Sequence, residues 1–134
     1  MTNQSFSFIE SLRKQPKLLF LIDGLGALVT LFFLTVVLTT FQEYIGMPKE
    51  ELYFLSVFAM AFSIYSITCY IVNPTNWNIF LRIIAFANLI YCFITIGYIC
   101  YFYQNLTLIG LLYFIIEILI IFVLTNLELT VAKP

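Results

Sequence analysis

Residues 106–127 read LTLIGLLYFIIEILIIFVLTNL, with Glu117 the only charged side chain among them. A run of about 20 apolar residues is what an α-helix needs to cross the hydrocarbon of a bilayer. Working back along the chain, residues 79–103, 52–72 and 18–40 are apolar runs of the same kind. They predict an all-α fold: a four-helix transmembrane bundle in one domain, preceded by a short cytoplasmic or interfacial segment over residues 1–17.

Composition points the same way. The chain has 134 residues, 63% hydrophobic and 10% charged, against about 25% charged in an ordinary soluble domain. Mean hydropathy is +1.04. Net charge is −1 and there is no basic run, so no electrostatic footprint for nucleic acid exists. There is no His, the commonest general base and nitrogen metal ligand. Cys69, Cys92 and Cys100 form no C-x-x-C pair and read as small apolar packing residues. Neither a metal nor another cofactor is expected.

Charge sets the expected orientation. Arg13, Lys14 and Lys17 precede the first span, Arg82 opens the third and Lys133 lies in the tail, while Lys49 stands in the first loop. Up-down-up-down topology with both ends inside puts five of the six Lys and Arg on the cytoplasmic face. The apolar run after Lys17 is too long for a signal peptide and no small-residue cleavage site follows it, so it reads as a retained helix. Ser7-x-x-Glu10 has capping-box spacing, and Pro16 should end the short helix that it starts. Pro48, Glu50 and Glu51 suit the first turn of the second span. Asn73 to Asn78 is dense in turn formers, and the last loop is centred on Gln104-Asn105.

The polar residues inside the spans are the functional candidates. A charge in hydrocarbon costs at least ~2.5–3.5 kcal/mol, so Asp23, Arg82 and Glu117 each need a partner, water or neutralisation. Counted at ~1.5 Å per residue from the cytoplasmic side, these three and Asn88 fall in the inner half or near the midplane. Equal depth and opposite sign predict an Asp23–Arg82 ion pair. Glu117 reads as a neutral acid bonded to Asn88 or a backbone carbonyl, or else as a proton carrier or ligand-binding carboxylate. Small residues at this level, Gly24, Gly26, Ala27 and Ala85, with Ala59 and Ser63 on the second span, are expected at helix–helix contacts.

Three segments carry a resemblance: Leu21-Ile22-Asp23-Gly24-Leu25-Gly26-Ala27, then Leu81 to Cys92 with Arg82 and Asn88, then Tyr113 with Glu117. Together the chain resembles a family of uncharacterised four-span bacterial inner-membrane proteins, and is loosely similar in layout to DoxX-like four-helix membrane proteins. The resemblance implies topology and an inner-membrane location. Small multidrug transporters share the span count, but their essential glutamate lies in the first helix, where this chain has Asp23. No G-x-S-x-G, H-E-x-x-H, P-loop or dinucleotide fingerprint is present. The expected function is therefore a non-enzymatic bundle, among membrane lipids, that binds an apolar ligand or a partner helix near its polar cluster, with a membrane protein or a second copy as possible partner. The alternatives are a small proton-coupled transporter using Glu117, and an enzyme acting on a lipid or quinone.

Overall fold

A computed structural model describes residues 2–132, and every regular element among them is helical. Lys133, counted above with the inside charges, lies outside the described residues. The elements are α1 (Thr2–Lys14), α2 (Lys17–Thr40), α3 (Gln42–Ile45), α4 (Lys49–Val72), α5 (Trp77–Tyr101) and α6 (Leu108–Ala132). Four of them, α2, α4, α5 and α6, are long and apolar enough to cross a membrane. The outward faces are as apolar as the inward ones: Val57, Ile71, Phe93, Ile109 and Val123 are all exposed. Helices apolar all round belong in lipid.

Local sequence explains where the helices stop. α1 ends before Pro16, which begins the α2 turn. It starts well before Ser7, so the expected capping box is not used; Ser7 sits inside the helix and its carbonyl accepts from Ser11 Oγ at 3.0 Å. Within α2, residues Phe33–Val37 widen into a π turn. Thr35 Oγ1, within this turn, donates to the Leu31 carbonyl at 2.7 Å, and Thr39 Oγ1, just after it, to the Thr35 carbonyl at 2.5 Å. Such back-bonding by β-hydroxyls bends helices. Gly46, at φ +91°, ends α3. Pro48 precedes α4, with Glu50 and Glu51 in its first turn, and left-handed Asn73 closes it. α5 takes in Trp77 and Asn78, which the sequence reading left in the loop.

The fourth span differs most from expectation. It begins at Leu108 and runs on to Ala132, five residues past the Leu127 boundary. The extra turn is held from outside. Asn78 Nδ2 and Arg82 Nη2 donate to the Ala132 carbonyl at 3.0 and 3.2 Å, and Arg13 Nη2 donates to the Thr130 carbonyl at 3.2 Å. Two guanidinium groups thus meet the negative end of the helix dipole.

Packing is uneven. α2 lies along α4, and α5 along α6; the two pairs join through α4 and α5, while α2 and α6 are not a closely packed pair. In lipid, helices associate through close packing and not through exclusion of water. The small residues show where this happens. A Cβ on Gly24 would meet Ile67 Cγ1 of α4 at 2.7 Å, and Ala59, Ser63 and Ala85 are buried. Gly26 differs: a Cβ there would meet nothing within 4 Å, so it opens onto free space and not onto a neighbouring helix. Two apolar clusters result. One, with Leu19, Phe20, Leu81 and Val131, lies towards the chain ends. The other, with Leu34, Leu55, Tyr91 and Phe114, lies towards the opposite side.

Candidate functional site

Three buried polar residues, Asp23, Asn88 and Glu117, occupy the level between those clusters. Asp23 follows Phe20 by one turn of α2, Asn88 falls between Ile84 and Tyr91 on α5, and Glu117 follows Phe114 on α6. Asp23, Asn88 and Glu117 are each more than nine-tenths buried.

Asn88 Nδ2 donates to Asp23 Oδ1 at 3.4 Å, a long bond. A third group completes this end of the site. Glu128, on the added turn of α6, is fully buried, and its carboxyl neighbours that of Asp23. With both acids ionised, Asp23 Oδ2 and both Glu128 oxygens have no donor. One proton between the carboxyls turns the same juxtaposition into a hydrogen bond, because a protonated carboxyl donates. The sequence reading missed Glu128 because its span ended one residue short. A signal existed: Glu117, Ile121, Leu124 and Glu128 are spaced 4, 3 and 4 apart, one continuous stripe of a helix.

The second acid is bonded differently from expectation. Glu117 takes Tyr91, not Asn88: Tyr91 Oη donates to Glu117 Oε1 at 2.6 Å. Tyr91 is 2% exposed, and its ring meets those of Phe58 and Phe62 edge-on. Asn88 and Tyr91 are three residues apart on one face of α5, so the two acids are anchored ~4.5 Å apart along that helix. Glu117 Oε2 is buried and has no partner.

Arg82 does not join the cluster, and the expected Asp23–Arg82 ion pair is absent. Among the described residues the ion pair within 4 Å is Arg13–Glu10, at 3.0 Å. The reason is angular. At about 100° per residue, Arg82 lies about 120° round α5 from Asn88. Asn88 faces Asp23, so Arg82 is exposed and reaches the end of α6 alongside Asn78, one turn before it. The acids therefore stand without a cation.

Beside them is a cavity of about 390 Å³. It fills the gap where α2 and α6 part. Gly26, Ala27 and Phe33 of α2 form one wall, and Tyr113, Glu117 and Ile120 of α6 the other. Asn88 and Tyr91 of α5, with Ala59 and Phe62 of α4, close the back. Val29, Ile116 and Ile120, at the rim, are exposed on the outer face of the bundle. The volume falls within the range of small-ligand sites, and an apolar wall with few convergent polar groups is their usual make-up. Asp23, Asn88 and Glu117 all line it. The chain matches no protein-family model, no curated protein and no solved structure.

Proposed function

We propose that this multi-pass membrane protein is a non-enzymatic binder of an apolar or amphipathic molecule, which enters from the bilayer between α2 and α6. The observation that carries the reading is the cavity, apolar over most of its wall, open beside exposed rim residues, and lined by buried polar side chains. We place the chain up-down-up-down in an inner membrane with both ends cytoplasmic. The guanidinium groups of Arg13 and Arg82, both at the end of α6, support a common side for this positive charge.

Native mass spectrometry of the full chain, released from mild detergent, tests the binding. Wild type should retain a small-molecule or lipid adduct. Gly26→Leu, which puts a side chain into free space, should lose the adduct while keeping its helical content. Equal adducts on both proteins would refute the reading. A partner helix seated between α2 and α6 would appear instead as a protein complex that Gly26→Leu weakens.

One observation favours a second reading, a small proton-coupled transporter: Glu117 lines the cavity, and its Oε2 has no hydrogen-bond partner. Its test is pH-driven flux in proteoliposomes that vanishes in Glu117→Gln.

A further inference from the structure

Two of the polar groups that line the cavity, Asp23 and Glu117, are pure acceptors when ionised. Asn88 spends one amide N–H on Asp23, and Tyr91 spends its hydroxyl proton on Glu117 Oε1. Asp23 is taken up by Asn88 and the Glu128 carboxyl, which leaves Glu117, with its Oε2 unpartnered. The hydroxyls of Thr30 and Tyr113, also on the wall, can serve either way. No Lys or Arg lines the cavity, and Arg82 is turned to the Ala132 carbonyl. A ligand that satisfies this wall must bring donors. An anionic one would meet like charge.

We propose that the occupant is an amphipathic organic cation, a single-chain or aromatic amine, whose protonated nitrogen is held at the Glu117 carboxyl. This deepens the ligand-binding reading above and rests on it. Three features combine. Glu117 is 8% exposed, so a carboxylate there is costly unless a charge is brought to it. A bond from an ammonium to a carboxylate is roughly twice as strong as one between neutral groups. Phe33, Phe62, Tyr91 and Tyr113 surround the same space, and aromatic faces attract cations as well as apolar chains. The open rim lets an apolar tail remain in lipid while the head enters. A zwitterionic phospholipid fits less well, because its phosphate would follow its amine towards two acids.

The test uses the full chain in phosphatidylcholine nanodiscs at pH 7, titrated calorimetrically with nonylamine and with 1-nonanol, empty nanodiscs being subtracted. Wild type should show saturable binding of both, with the amine at least ~10-fold tighter, as a charge-assisted bond implies. Glu117→Gln should erase that preference. Two results overturn the cation and leave the ligand-binding reading standing: nonanol binding wild type as tightly as the amine, or the amine preference surviving in Glu117→Gln. Saturable binding of neither compound overturns both. The wild-type comparison decides the matter even if the variant does not fold.

Discussion

At the scale of single residues, the site is a set of acids served by neutral donors. Glu117→Gln keeps an acceptor for the Tyr91 hydroxyl, so folding should change little. Tyr91→Phe instead strands Glu117 Oε1 in the interior and should cost ~1–3 kcal/mol. The thermal unfolding midpoint of Tyr91→Phe should therefore fall below that of Glu117→Gln; the reverse order would contradict the bond. Glu128 and Asp23 make a similar contrast. Asp23→Asn can donate to Glu128 while still accepting from Asn88, and should be tolerated. Glu128→Ala empties a fully buried position and should cost ~2–4 kcal/mol. Much of this set was legible: Asp23, Asn88 and Glu117 stand out as polar residues within apolar runs. Their pairing was not. Depth and direction along one helix can be counted from sequence, but not how neighbouring helices are rotated against each other, and that rotation took Arg82 to the end of α6. Tyr91 gave no sign, since tyrosine is common in membrane helices and only its neighbour on α6 makes it part of the site.

At the scale of elements, the glycines separate contact from cavity. A Cβ on Gly110 would run into the Ile45 carbonyl, where α6 meets the α3 end, so Gly110→Ala should destabilise. Gly26→Ala adds a methyl to open space within a helix and should be neutral or stabilise by ~0.5–1 kcal/mol. Thermal unfolding of the two variants in one detergent checks the opposite signs; a loss of stability in Gly26→Ala would mean that the gap between α2 and α6 is closed. Arg82→Gln removes one cap from α6, and hydrogen exchange at 128–132 should quicken without a change at the α4 amides. The four long helices coincide with the apolar runs read from sequence, the largest difference being at the end of α6, because hydropathy is a property of the run itself. The end of α6 escaped because Asn126, Glu128 and Thr130 dilute the apolar signal, while the groups that hold the helix, Arg13, Asn78 and Arg82, come from elsewhere in the chain.

For the whole molecule, the uneven packing is the main structural fact. Two tight helix pairs meet through α4 and α5, so the bundle is left open on the side of α2 and α6. Composition could not show this, although Gly26 and Ala27 are small residues on the face concerned. On the proposed orientation, a cysteine placed at Lys49 should react with a membrane-impermeant reagent added outside intact cells, and one placed at Thr75 should not; the opposite pattern would invert the bundle. The side opening can be read directly with a photoactivatable alkylamine, cross-linked to the full chain in nanodiscs and mapped by peptide mass spectrometry. Labels should concentrate on Phe33, Ile116 and Ile120 at the cavity and fall in the presence of excess nonylamine. Labels spread evenly over lipid-facing residues such as Val57, Phe93 and Val123, with no protection by nonylamine, would show that the gap between α2 and α6 is not a binding site.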